Sequence, residues 1–450
     1  MSASSAAVTR YALVGTGGRA PMFVDPIADR FAQNNRLVGL CDTNLGRLQF
    51  HQKRLVERFK YAQVPIYLAA DFDKMIAETR PDVVIVCTVD CYHHQYIVRA
   101  MELGCDVITE KPMTIDADKC QMIWQAVQKT GRKVRVCFNY RFSPGVQLVK
   151  ELLADSIIGD VIHADMEYLL DTNHGADYFR RWHREKDKSG GLIVHKATHH
   201  FDLVNWWLDA VPQQVFGHGR LAFYGRKNAE ARGINVKYDH YTEAVQQGLT
   251  KTDPFALDLT KLGEGKSLYW DAKDHDGYRR DRNVFGDNIT AEDTMSALVK
   301  YRTGTVLNYS LNAYLPREGF HIVFNGTKGR LEYQEVHGSH IITGQSDKQL
   351  GEQTRWENQC VVLPMFGRPY KVPIPPAEGG HGGADPQLQE QIFSPNPRPD
   401  KLSRYAQHGQ ASASIMIGIA ANRSFETGQP VEIADLCPQL ANAVHLSDLP

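Results

Sequence analysis

The chain has 450 residues, with 51 Lys plus Arg against 52 Asp plus Glu and a formal net charge of −1. That balance argues against the basic bias of a nucleic-acid binder and against an electrostatic membrane tether, and no stretch approaches the roughly 20 apolar residues that span a bilayer. At 42% hydrophobic the sequence can fill the cores of two domains, or three, without disulfide staples. The eight cysteines lie scattered without zinc or redox spacing, and Cys87 and Cys91 read as buried or half-buried thiols. Residues 1–9 are small and polar, without the charged and then apolar order of a secretory leader, so a cytoplasmic protein is expected.

Short β-branched runs at 11–14, 37–41, 82–87, 106–109 and 133–137 are nearly continuous in hydrophobicity, as strands covered on both faces must be. Between them the spacing predicts helices over 45–59, 72–79, 92–103 and 116–130, while Pro26 should bend or shorten an earlier one. Strand–helix alternation implies a doubly wound parallel sheet, the Rossmann arrangement, with ligands at the carboxyl ends of the strands.

The first strand runs into Gly15-Thr16-Gly17-Gly18-Arg19-Ala20, which fits G-x-G-x-x-G/A with Ala20 in the third place. Gly15 suits the tight turn, and Gly17 lets the backbone approach a pyrophosphate. The helix beyond offers free amides to the phosphates. Asp42 ends the second strand, about 20 residues on. It is placed to accept from an adenosine ribose and to repel a 2′-phosphate, so NAD is expected rather than NADP. Glycine-rich turns also serve as plain strand-to-helix connections. Here the turn opens an alternating series and an acid follows the second strand, which favours the dinucleotide.

Thr88-Val89-Asp90-Cys91-Tyr92-His93 follows the run at 82–87, and Thr109-Glu110-Lys111-Pro112 ends the run at 106–109. Later come Asn139-Tyr140-Arg141-Phe142-Ser143-Pro144, Ile158-Gly159-Asp160-Val161, Gly326-Thr327-Lys328-Gly329-Arg330-Leu331-Glu332, and a stretch from Ala420 to Gly428. Together with the glycine turn, these motifs make most of the chain resemble the glucose–fructose oxidoreductase/inositol dehydrogenase (Gfo/Idh/MocA) family, and Glu-Lys-Pro is the most specific of them. The resemblance implies an N-terminal nicotinamide-binding domain, here 1–140. It also implies a C-terminal α/β domain, here 141–450, with a large, mostly antiparallel sheet. The open face of that sheet often makes an oligomer contact, hence an expected dimer or tetramer. Cofactor contacts are implied at Gly15, Thr16, Gly17, Gly18, Arg19, Asp42, Thr88, Asp90, His93, Glu110 and Lys111, and a substrate contact at Arg141. Independently of the resemblance, an ammonium at Lys111 can polarise a hydroxyl or carbonyl oxygen at the sheet edge. Partial burial beside a cationic nicotinamide would lower its pKa. Glu110 can hold nearby backbone or the nicotinamide ribose, and Pro112 can fix the lysine's direction through a cis bond.

A second constellation is the Gly-rich entry Ser189-Gly190-Gly191 followed by Leu192 to Asp202. In the family the matching stretch carries an Asp, three residues, and then a catalytic His. His199 matches that histidine, but His195 stands at the Asp position, so the usual acid–base scheme does not transfer directly. On one helix His195 and His199 would share a face at i and i+4. A neutral imidazole can take an alcohol proton near pH 7, which makes His199 the first candidate base and Lys111 its partner. His195 would bind substrate or tune His199, and Lys196 would add charge. Two such histidines also suit a transition metal. No glutamate follows as in a zinc protease and no third ligand is evident, so no metal is expected. Trp206 and Trp207 read as core. Upstream, Tyr178, Trp182 and His183, interleaved with arginines, suit either a sugar ring or a packed domain edge. Tyr168, His174 and Asp177 are softer candidates on the same segment.

From about 228 to 287 the periodicity weakens, which predicts an insertion with short elements of its own that covers the site, makes a subunit contact or stays solvated. Strand alternation resumes over 291–335 with a turn at Thr303-Gly304, and the Gly-rich 381–386 follows no clear strand. The function expected is an NAD-dependent oxidoreductase acting on a secondary hydroxyl of a sugar, glycoside or polyol. The alternative is an NAD-dependent glycoside hydrolase or lyase that oxidises the ring transiently. A cofactor-binding regulator without turnover would not need Lys111 and His199 together.

Overall fold

A computed structural model describes residues 8–338, 357–377 and 383–450; the expectations placed on residues 1–7 and on His381 and Gly382 lie outside the described residues. Strands β1 (Thr9–Val14), β2 (Asn35–Asp42), β3 (Ile66–Leu68), β4 (Val83–Val86), β5 (Asp106–Thr109) and β6 (Val134–Val136) form a parallel sheet in the order β6-β5-β4-β1-β2-β3. The interior strands are buried along nearly their whole length, which explains their unbroken apolar runs. Helices α1 (Pro21–Ala28), α2 (Leu45–Phe59), α3 (Phe72–Thr79), α4 (His93–Glu102) and α5 (Ala117–Thr130) connect them. Local chemistry sets their ends. The side chains of Asn44 and Asp116 accept the backbone N–H of Arg47 and Lys119 at the starts of α2 and α5. Pro21 opens α1, which carries Pro26 inside and stops after eight residues. The sequence did not signal β3, three residues long and without a buried position.

The sheet is completed from far away. The two-residue strand Ala406–Gln407 pairs antiparallel with β6, so the C-terminal half contributes an edge to the N-terminal sheet.

After α6 (Pro144–Ala154), strand β7 (Val161–Asp171) enters a second sheet of nine strands. Its other long members are β8 (Pro212–Arg220), β9 (Thr294–Tyr301), β10 (Val306–Leu315), β11 (Glu318–Gly326), β12 (Gly329–Gly338), β13 (Gln359–Pro364) and β14 (Tyr370–Val372), with Val431–Glu432 at one edge. Among the described residues of this sheet, only the β7–β10 pair is parallel. Period-two burial is clean along β9, where Met295, Ala297, Val299 and Tyr301 face inward while Ser296, Leu298 and Lys300 face out. Between β7 and β8 run the short helices α7 (His174–Arg180), α8 (Lys186–Ser189) and α9 (Leu192–His195) and the longer α10 (Ala197–Leu208). In the 228–287 segment the elements are short, as expected: α11 (Arg226–Ala231) starts just before it, α12 (Tyr241–Gln246) lies within it, and a π-helical turn spans Lys266–Trp270. Helix α13 (Ala384–Phe393) packs on α1, and the largely buried α14 (His408–Thr427) lies against α10 and β8.

Candidate active site

A cleft of about 740 Å³ opens at the carboxyl ends of β1, β2, β4 and β5 and is roofed by the α7–α10 segment. At one end lies the glycine turn. Gly15 has φ of 93°, and a Cβ there would stand 2.5 Å from the Cys87 carbonyl, so only glycine lets β1 pass this close to the end of β4. Gly17 faces the cleft without a side chain, as backbone approach by a pyrophosphate requires, while the Gly18 N–H is taken by a tyrosine hydroxyl. Asp42 closes this end. Its Oδ2 accepts from the backbone N–H (2.6 Å) and hydroxyl (2.9 Å) of Thr16, and its Oδ1 from the N–H of Asn44 (2.8 Å). A carboxylate fixed this way, still lining the cleft, suits ribose hydroxyls. Bare glycines and a held acid fit an NAD adenosine end.

The other end is built from β4, β5 and α9. Glu110 accepts from the Arg19 guanidinium at 2.6 Å and from the Lys111 backbone N–H at 3.1 Å, tying the glycine turn to the Glu-Lys-Pro segment. The Lys111–Pro112 bond is cis. Lys111 Nζ donates to the His195 carbonyl at 3.1 Å, and burial pulls it below the usual ammonium range against the field of Asp90. Asp90 Oδ2 lies 2.5 Å from His195 Nδ1. Burial raises Asp90 and lowers His195, which is further lowered by Lys111, His183 and Arg181. A neutral His195 that donates Nδ1–H to this carboxylate keeps Nε2 as an acceptor in the cleft, the tautomer a proton-accepting base needs. His199 lines the same cleft with its ring stacked on Tyr140, 4.5 Å between centroids. His195 ends α9 and His199 lies in α10, with Lys196 at the break, so the two come together without sharing one continuous helix.

Tyr178, Trp182 and His183 join this wall. Trp182 and His183 stack at 3.6 Å, and His183 meets the His195 ring edge-on at 4.3 Å. His174 reaches Glu318 at 2.8 Å and the Tyr178 hydroxyl at 3.1 Å. Against burial, Glu318 and Glu335 push His337 up to about 9, while burial pulls Lys196 down to about 8.

Four expected contacts have other work. Arg141 is fully buried and grips Asp202 with two hydrogen bonds of 2.8 and 2.7 Å, a core ion pair; breaking such a pair costs roughly 3–5 kcal/mol. Tyr168 is also fully buried. It stacks on His200 behind Lys196 and does not line the cleft. Thr16 is sealed and acts through Asp42. Both His93 nitrogens face carbonyls, of Pro112 at 2.8 Å and Thr88 at 3.0 Å, so this ring braces two strand ends while it also lines the cleft. Thr88 and Arg19 do line the cleft.

The sequence did not show what the insertion does. The Tyr269 hydroxyl accepts from the Gly18 N–H at 2.8 Å, directly on the phosphate turn. The Ala272 carbonyl takes the Asn44 side chain at 2.8 Å, Asp276 pairs with Arg47 at 2.5 Å, and Glu264 with Arg54 at 2.9 Å. The segment is thus a strap latched to α2 across the cofactor end. Its aromatic and arginine content was visible, but its docking partner was not. Asp385, in the first turn of α13, pairs with Arg19 from the Gly-rich 381–386 region. Among the described residues there is no cluster of three or more potential metal-binding side chains, and no helix is long and apolar enough to cross a membrane.

Residues 9–138 match the model of an oxidoreductase family described by its NAD-binding Rossmann fold, and residues 150–433 match the α/β C-terminal domain of the same family. The Bacillus subtilis protein YteT is 37% identical over 429 residues, covering 92% of this chain and 95% of its own. D-glucoside 3-dehydrogenase of Escherichia coli is 28% identical over 163 residues, 36% of this chain and 43% of its own. An Agrobacterium radiobacter oxidoreductase solved with NAD+, L-tartaric acid and magnesium shares the fold with a TM-score of 0.61 at 14% identity, over 95% of this chain and 99% of its own. The N-terminal part is therefore an NAD-binding Rossmann domain.

Proposed function

Because the chain belongs to the Gfo/Idh/MocA family of NAD-binding oxidoreductases, we propose that it moves hydride between nicotinamide and a secondary hydroxyl of a sugar, glycoside or polyol. The observation that carries this reading is the meeting of Lys111 with the Asp90–His195 pair at the carboxyl edge of the NAD-binding sheet. NAD supplies the hydride acceptor when bound. His195 accepts the hydroxyl proton at Nε2, with Asp90 fixing its tautomer and steadying the imidazolium. The Lys111 ammonium faces the oxygen as its negative charge develops. His199, stacked on Tyr140, stands beside them as a substrate contact. This moves the base from His199 to His195, because the carboxylate that fixes a tautomer belongs to the latter. The carbohydrate class is supported by the aromatic wall of Tyr178 and Trp182 and by the dehydrogenase of D-glucosides among the relatives. The open outer face of the nine-stranded sheet, with Ile162 and Leu298 exposed, is the surface this reading gives to contacts between copies in a dimer or tetramer.

A second reading, a redox-neutral cycle, draws support from the strap. A cofactor under Tyr269 need not leave if the sugar is oxidised, loses its aglycone by elimination, takes up water and is then reduced again in place. One assay tests both readings: the protein and NAD with nitrophenyl glycosides and free sugars, following NADH and nitrophenol together. Net NADH formation is expected. Nitrophenol release without NADH, abolished when NAD is stripped, would replace the dehydrogenase reading by the redox-neutral one. Lys111→Ala should lower kcat at least about 100-fold with NAD still bound; unchanged turnover would remove the lysine from this role.

A further inference from the structure

Cationic side chains gather around the substrate end. Lys111, half-buried, and Lys196, buried, both line the cleft, and among the described residues neither forms an ion pair with a carboxylate. Asp177 is shared: it lies 3.0 Å from Arg181, 3.0 Å from Arg280 and 3.9 Å from Arg180. Asp90 on this wall is bonded to His195, and its field reaches Lys111. Lys188 at the rim has Glu185 at 2.6 Å and adds nothing to the count. Glu318, behind the wall, faces His174 and His337.

One of these cations presents open donors. Arg181 gives Nε to Asp177, to both its carbonyl and its carboxylate, and its guanidinium carbon lies 5.3 Å from the Tyr178 ring centroid. No hydrogen bond among the described residues takes its two terminal nitrogens. A planar fork held from behind, with its outer N–H groups open to the cleft, matches a carboxylate in two-point contact. Arg181 lines the same cleft as Lys111, His183 and His195, which sets the fork among the proposed reacting groups. The open terminal N–H groups of a guanidinium held from behind gain charge-assisted hydrogen bonds when a ligand carboxylate meets them.

We infer that the substrate is an acidic sugar, a uronate or uronate-ended glycoside, whose carboxylate is held by the Arg181 fork with Lys196 as the second cation. This rests on the carbohydrate reading above and names the class within it. A carboxyl on the ring leaves the secondary hydroxyls as the groups to be oxidised, as Lys111 and His195 require. Two-point, planar recognition favours carboxylate over the tetrahedral phosphate or sulfate of other acidic sugars.

The test is calorimetric binding to the NAD-loaded full chain, so that it does not depend on turnover. The probes are methyl β-glucuronide, methyl β-glucoside and glucose 6-phosphate, with the galacto counterparts alongside. Uronides should bind at least tenfold more tightly than neutral glycosides, and this preference should shrink as salt is raised. Arg181→Gln should abolish most of the preference without weakening NAD, and Arg181→Lys should restore part of it. If Arg181→Gln does not fold, Lys196→Gln should lower the same preference. Equal or tighter binding of neutral sugars, or a phosphate ahead of both uronides, overturns the inference. So does an Arg181→Gln defect confined to NAD affinity, which would assign the fork to the cofactor. Uronide binding without hydride transfer or glycoside cleavage would leave the inference standing and strike the catalytic reading instead.

Discussion

The two ends of the cleft are made differently. At the cofactor end the working groups are backbone and lie close in sequence: the Gly15–Arg19 turn and Asp42 come from two neighbouring strands. At the substrate end Lys111, Asp90, His195 and Arg181 arrive from two strand ends and two short segments of the other half. Backbone sites advertise themselves, because only glycine meets their geometry. Side-chain sites do not, because lysine, histidine and arginine serve equally on surfaces. The comparison also separates two kinds of failure under mutation, one of binding and one of chemistry.

Gly15→Ala should be the most damaging change at the cofactor end. A Cβ 2.5 Å from the Cys87 backbone at φ 93° adds roughly 1–3 kcal/mol of strain before any clash is relieved, and NAD affinity should collapse together with Tm. Retained NAD binding in calorimetry would mean that the turn does not approach the phosphates. Asp90→Asn at the other end should leave NAD affinity and Tm nearly intact while lowering kcat about 100-fold, because the amide no longer fixes the His195 tautomer. A loss in KM alone would return His195 to a binding role.

The pH profile sharpens the same division. His195 is held well below the ordinary histidine range by burial, so its neutral form persists into acid, and activity should not fall with a midpoint near 6.5. Lys196, drawn down to about 8, is charged below that value and loses its proton as pH rises through it. Uronide binding should therefore weaken above about pH 8 while NAD binding does not. Tyr269→Phe is the mildest expected change, removing a single hydroxyl from the Gly18 amide. The NAD dissociation rate, followed by fluorescence, should rise severalfold with kcat little altered. An unchanged rate would mean that the strap does not restrain the cofactor.

How far each part was legible follows from range. The helices over 45–59 and 72–79 fall where apolar spacing put them, since local periodicity and caps decide such elements. The site was legible where a motif carries its own geometry, as in the glycine turn and Glu-Lys-Pro. It was misread where a residue type was right but its partner lay elsewhere. Arg141 looked like a ligand for substrate and is spent on Asp202, 61 positions on. Asp90 was expected as a cofactor contact and does line the cleft, but its bond to a histidine 105 residues away was not visible.

By itself the sequence determined the doubly wound NAD domain and, through its family motifs, the sheet-rich second half, because repeating hydrophobic patterns and glycine-only backbone conformations are local constraints written directly in residue types. Only the tertiary structure decided which histidine receives a carboxylate, which arginines are consumed by the core, and that the 264–278 segment lies on the phosphate turn. Those outcomes depend on distances between residues 50 to 250 positions apart, fixed by the packing of two sheets and the loops between them.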